Sequence, residues 1–146
     1  GFEKTISGLL PALAGANIIY GMGMLDMGMV LSFGQMVIDH EIATHIKRIV
    51  SGISMDDDLL GLDVIHKVGI GGNYLAEKHT VKYMKTELQQ EIVMERRNRD
   101  RWEKDGKKEL AEVAREHAAE ILKNHQPKVL EDGVHEEFQR IIKSAE

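Results

Sequence analysis

Apolar and polar positions divide the chain into two regimes. Through residues 5–46 there is no Lys or Arg, and the only acids are Asp26, Asp39 and Glu41. From residue 77 onward, charges of both signs are dense. In the first regime Leu9, Leu10 and Leu13 share one side of a helix expected over residues 3–16, delayed or kinked at Pro11 and ended by Gly15-Ala16. Asn17-Ile-Ile-Tyr-Gly-Met-Gly is a short run of β-branched and aromatic types closed by glycine, which predicts a buried strand of a parallel sheet. Ile38, Ile42, His45, Ile46 and Ile49 recur at helical spacing and predict a long helix over residues 30–50, stopped by Ser51-Gly52. Helix–strand–helix is the unit of an α/β protein. One strand cannot make a sheet, so this part either lacks its neighbouring strands or packs as helices.

The second regime predicts only helices and loops. Ser54 and Asp57 have the spacing of a capping box for a helix over residues 55–68, with Leu60, Val64 and Val68 inward. Gly69-Ile-Gly-Gly-Asn-Tyr-Leu is a glycine-rich loop. Val81, Met84, Leu88 and Ile92 form one stripe of a helix expected from residue 76 past residue 91. Asp105-Gly106 breaks the polar continuation of that helix. Residues 108–125 follow as an amphipathic helix, and a last helix over residues 133–144 carries Phe138, Ile141 and Ile142. The chain is thus mainly α, with at most one short strand.

Composition narrows the chemistry. A net charge of -5 gives no global positive field for nucleic acid, and the arginines from Arg96 to Arg101 are interleaved with acids. The absence of cysteine excludes disulfides, thiolate metal sites and a thiol nucleophile, and it is compatible with a reducing cytosol. Pro11, Asn17, several glycines and Asp26 interrupt the apolar stretch, so no membrane span is expected. No leader is expected, and a start at Gly1 rather than Met points to a piece of a longer chain.

Most candidate motifs have a simpler explanation. His40-Glu41 and His45 imitate a zinc motif, but histidines five apart on a helix diverge by about 140°, and no metal site is expected. Gly21-Met-Gly23 imitates a dinucleotide loop, yet its third glycine would fall on Asp26, where a carboxylate repels pyrophosphate. Met22, Met24, Met27 and Met29 are read as adaptable lining for packing or for a bulky apolar ligand. Asp63 and His66 are read as a surface pair. Gly69, Gly71, Gly72 and Asn73 with His79 and Thr80 are the best local candidate, since adjacent glycines leave amides uncovered and His79 or Thr80 can cap the next helix.

Several strings in order resemble the trimethylamine methyltransferase family. They are Ala14-Gly-Ala-Asn-Ile-Ile-Tyr-Gly-Met-Gly-Met-Leu, Ser32-Phe-Gly-Gln-Met-Val-Ile-Asp-His-Glu-Ile, Leu62-Asp-Val-Ile, Val68-Gly-Ile-Gly-Gly-Asn-Tyr-Leu with His79-Thr80, and Arg101-Trp-Glu-Lys-Asp-Gly. Ile70 departs from the proline often found there, which makes that loop less rigid. The resemblance implies a parent (β/α)8 TIM barrel with a C-terminal helical extension. Residues 1–52 would be the last helix–strand–helix of the truncated barrel, and residues 53–146 the extension. It implies transfer of a methyl group from trimethylamine or a related tertiary or quaternary amine to a corrinoid protein, as in methanogenesis and methylamine metabolism. The pyrrolysine position of the family would lie upstream, leaving this chain without its catalytic electrophile and inactive alone.

On the same resemblance, Tyr20, Gly21, Gly23, Met24, Gly71, Gly72, Asn73, His79 and Thr80 are expected to face substrate or corrinoid. The chain would bind no cofactor directly, the corrinoid being carried by a partner protein. A cytoplasmic homo-oligomer, with no nucleic-acid or membrane partner, completes the expectation. An alternative reading of the same pattern is a non-catalytic helical domain dimerising through residues 9–38.

Overall fold

The computed structural model describes residues 1–145 and is mainly helical. Two helices make the spine. Helix α2 (Phe33–Val50) starts where the Ser32 side chain accepts from the amide of Gln35 at 3.2 Å, and Ser51 follows its end. Helix α7 (Leu110–Asn124) lies along one face of α2. Small residues allow the approach: Ala114 and Ala118 are buried between the helices, and a Cβ on Gly34 would come 3.0 Å from Arg115 Cγ. Val37 and Val93 complete this core, with Ile38 and Val113 half-buried around it.

Helix α1 (Phe2–Leu13) packs on another face of α2. Gly8 makes that contact possible, because a Cβ there would come 2.8 Å from Ile46 Cδ1. Pro11 is accommodated within α1, whose end falls at Leu13. The expected strand over residues 17–23 is not formed. Instead β1 (Met24–Leu25) and β2 (Val30–Leu31) pair antiparallel, Met24 opposite Leu31 and Leu25 opposite Val30. A tight turn over Asp26–Gly28 joins them, with positive φ at Asp26, Met27 and Gly28. With no neighbouring strand to pair with, residues 17–23 form an open loop over α2, and this ladder replaces the single strand.

Two further expectations need correction. The helix over residues 55–68 is split by Gly61, whose φ of 61° ends α3 (Asp57–Leu60) before α4 (Leu62–Val68) begins. Its cap is Asp56, accepting from the Leu59 amide at 2.8 Å, rather than Ser54. The long helix from residue 76 exists only as α5 (Lys78–Tyr83), started at Glu77 without a side-chain cap, so neither His79 nor Thr80 caps it. The chain leaves helical geometry after Tyr83, and at the far end of the expected helix Glu41 accepts from the amides of Ile92 at 2.9 Å, Val93 at 2.6 Å and Met94 at 3.1 Å. Those donors cannot also serve a helix. Beyond this strap lie α6 (Arg99–Lys104), capped by Asn98, and α8 (Val134–Ala145).

Candidate functional site

An open groove of about 670 Å³ runs between α1, the loop of residues 18–28 and α2. Tyr20, Gly21, Met22, Met24 and Met27 line one wall. Lys4, Gly8, Asp39, Ile42 and Ile46 form the floor. This floor follows from helical spacing, since Gln35, Asp39, Ile42 and Ile46 fall three and four apart on one face of α2. The opposite face, with Gly34, Val37 and Glu41, is turned to α7 and Val93.

Asp39 holds the wall to the floor. Its buried carboxylate accepts from Lys4 Nζ at 2.5 Å and the Gly23 amide at 2.8 Å through Oδ2, and from Gln35 Nε2 at 2.8 Å through Oδ1. Lys4 Nζ also donates to the Gly21 carbonyl at 3.4 Å. The Gly23 carbonyl in turn accepts from the Ser32 amide at 2.9 Å, so both backbone groups of Gly23 are engaged. Glycine is required there: φ is +79°, and a Cβ would press on Leu31 Cδ1 and Met36 Cβ at 3.0 and 3.1 Å. Tyr20 stands at the groove with its side chain exposed, and Met27 at the turn is fully exposed.

The remaining expected site residues lie elsewhere. Gly71, Gly72 and Asn73 do not line the groove, and His79 lines a separate shallow depression with Asp63, Lys67 and Glu77. Gly71 takes φ +74° in open space. Gly72 is a packing glycine, since a Cβ would fall 2.4 Å from the Val68 carbonyl oxygen. Asn73 Oδ1 accepts from the Leu75 amide at 2.9 Å and closes its own turn. His79 Nε2 lies 2.6 Å from the Asp58 carbonyl oxygen, which fixes it as the protonated ring nitrogen. Thr80, half-buried in α5, caps nothing.

Around His79 the exposed Asp58 carboxylate accepts from both Lys82 and Tyr83. These two donors, Lys82 foremost, hold the Asp58 carboxyl below its usual range. Asp58 in turn raises the pKa of Lys82 and Tyr83. The His79 and Tyr83 rings meet at 4.7 Å, and Lys82 lies 4.6 Å from the Tyr83 ring centre. Asp63 and His66 make no ion pair with each other.

Two buried carboxylates outside the expected site set, Asp39 and Glu41, organise the loops beside α2. Their signal was present: they are two of the three acids in a stretch otherwise free of acid and Lys/Arg charge, and both sit on a helix expected to be buried. Burial pushes the Glu41 carboxyl up, but the amides of Val93, Ile92 and Met94 outweigh it and hold it below the ordinary carboxylate value. Nearby, His45 Nδ1 lies 2.9 Å from the Glu41 carbonyl oxygen, and its Nε2 lies 3.3 Å from Glu91 Oε2. Among the described residues, no three or more His, Asp or Glu side chains gather as a metal site, and no helix is long and apolar enough to cross a membrane.

Fold and groove together define a helical scaffold that fastens a glycine- and methionine-rich loop over an open trough. Over residues 1–146 the chain matches the family described as Trimethylamine methyltransferase (MTTB), and it belongs to that family. It is 41% identical over 144 residues to trimethylamine methyltransferase MttB of Desulfitobacterium hafniense, covering 99% of this chain. It is 43% identical over 142 residues to trimethylamine methyltransferase MttB of Methanosarcina thermophila, covering 95% of this chain. A glycine betaine methyltransferase of Desulfitobacterium hafniense is 32% identical over 143 residues, 97% of this chain. The chain spans 29–30% of the length of these relatives.

Proposed function

We propose that this chain is the C-terminal part of a methyltransferase that moves a methyl group from a methylated amine to a corrinoid protein. The observation that carries the proposal is the family match over the whole chain, taken with relatives named for trimethylamine and for glycine betaine. Both are methylated amines with a compact nitrogen centre. In this reading residues 1–52 complete a barrel supplied by the rest of the polypeptide, and residues 53–146 are its helical extension. The groove between α1 and α2 would then open toward the reaction space.

The chain's own residues would act by shape. Tyr20, Met22 and Met24 present an aromatic face and thioether surface, which suit a methylated ammonium and exclude water from it. Asp39 and Lys4 hold that wall in place. The open trough, walled by these side chains and by exposed Met27, would receive the edge of a corrinoid presented by a partner protein, and that group would supply the cobalt nucleophile for the methyl. A methyl carbon departs from nitrogen only when the nitrogen is quaternary or engaged by an electrophile. That activation is assigned to the rest of the polypeptide, so the chain alone is expected to transfer nothing.

Replacing Tyr20 by Ala in the full-length enzyme tests the role of the wall. Methyl transfer from trimethylamine to the corrinoid protein is expected to fall by at least about tenfold, about 1.4 kcal/mol of transition-state stabilisation. Unaltered turnover would remove the groove from the reaction. A non-catalytic dimerising helical domain is the competing outcome, and it would leave transfer indifferent to every groove substitution.

A further inference from the structure

The Lys4–Asp39 pair is an unusual element of this fold. Asp39 is almost fully buried, and Lys4 is 30% exposed in its side chain. A buried ion pair contributes little or nothing to stability relative to apolar side chains of similar size, because two charges must be desolvated to form it. What it can supply is geometry. The two charges engage opposite polarities of one backbone turn: the ammonium donates to the Gly21 carbonyl, and the carboxylate accepts from the Gly23 amide. Each partner thereby satisfies a backbone group and the other side chain at once. Gln35, one helical turn before Asp39, orients the second carboxylate oxygen.

The other ties of this segment are few: the Ser32 amide donates to the Gly23 carbonyl at 2.9 Å, and half-buried Ile19 lies beside Gly8 of α1. Residues 17–23 form no regular element, and the two-residue ladder after them is too short to be stable alone. Ile18 and Tyr20 are exposed, so neither side chain anchors the loop. We infer that Asp39, with Lys4, is a positioning residue: a charge clamp that fixes the Gly21–Gly23 turn and so sets the width of the groove and the placement of Tyr20, Met22 and Met24. Its relevance to methyl transfer rests on the function proposed above, whereas its structural content does not.

Hydrogen exchange on the full-length polypeptide that contains this chain tests the clamp without reference to catalysis. Lys4→Met keeps the apolar stem and removes the charge, Asp39→Asn removes the carboxylate, and Lys4→Arg restores a donor. Lys4→Met and Asp39→Asn are each expected to raise amide exchange across residues 20–31 by roughly tenfold or more, as losing a hydrogen bond to a charged group implies. Exchange in α7 should stay unchanged in Lys4→Met, and Lys4→Arg should recover much of the protection. If Asp39→Asn loosens the whole chain, Lys4→Met decides. Protection of residues 20–31 that is unaffected by Lys4→Met, or lost equally in α7, overturns the clamp. In the full-length enzyme the same variants should lower kcat with KM for the amine unchanged. Parallel changes in both constants, or none, would overturn the positioning role. A wild-type enzyme that transfers no methyl group would overturn the functional reading and leave the exchange result standing.

Discussion

At the scale of residues, glycines separate into those that shape backbone and those that make room. Gly71 and Gly72 are adjacent and were both expected to leave amides open to a ligand. Only Gly71 stands in open space with a left-handed φ. Gly72 instead sits against the last turn of α4, a distinction that depends on where the Val68 carbonyl lies and that no spacing encodes. Gly72→Ala is therefore expected to destabilise the chain by about 1–3 kcal/mol through overpacking. Gly71→Ala should cost about 1–2 kcal/mol through its backbone angle alone, and Gly71→Asn less. Chemical denaturation of the three variants checks both. A Gly72→Ala variant with an unchanged midpoint would contradict the packing role. Asp39 shows the converse: its type and setting were visible in the sequence, but its partners Lys4 and Gly23, 35 and 16 residues away, were not.

At the scale of elements, helical periodicity was reliable where local and tertiary demands agree. Helix α2 ends at Ser51-Gly52 as its pattern indicates but starts at Phe33 rather than residue 30, where Val30 and Leu31 pair as β2; α7 and α8 fall close to their expected bounds. Periodicity failed over residues 84–92. The stripe of Val81, Met84, Leu88 and Ile92 is present, but the Glu41 carboxylate offers the amides of residues 92–94 a stronger acceptor than a neutral carbonyl. This strap carries Val93 into the core between α2 and α7. Glu41→Gln is expected to lower stability by about 2–3 kcal/mol, the loss of hydrogen bonds to a buried charged acceptor. The pH dependence has a definite sign. Because the folded pKa of Glu41 is depressed, its stabilisation is fully present above the unfolded value near 4.5 and is lost as pH falls through the folded value. Urea midpoints measured from pH 7 down to acid should therefore fall more steeply for the native chain than for Glu41→Gln. Parallel curves would show that Glu41 does not hold the strap as a carboxylate.

At the scale of the whole molecule, much apolar surface remains uncovered. Phe2, Ile6, Leu10 and Leu13 form an exposed stripe along α1, and Phe138, Ile141 and Ile142 form another on α8. The near absence of charge through residues 5–46 had already pointed to burial against more protein than the chain itself supplies. The match to 29–30% of the length of its relatives accords with this. The mainly helical character was legible from pattern, whereas the strand expected over residues 17–23 is not formed, because strand pairing needs neighbours that the described residues do not supply.

The central proposal is methyl transfer from an amine to a corrinoid protein, and the direct measurement is spectroscopic. The full-length polypeptide is mixed with its corrinoid protein in the cobalt(I) state and with trimethylamine or glycine betaine, and conversion to methylcobalt(III) is followed by absorbance. Conversion that requires both the polypeptide and one of these amines is the expected result. A cobalt(I) spectrum unchanged with every methylated amine, at enzyme concentrations comparable to the corrinoid protein, would contradict it.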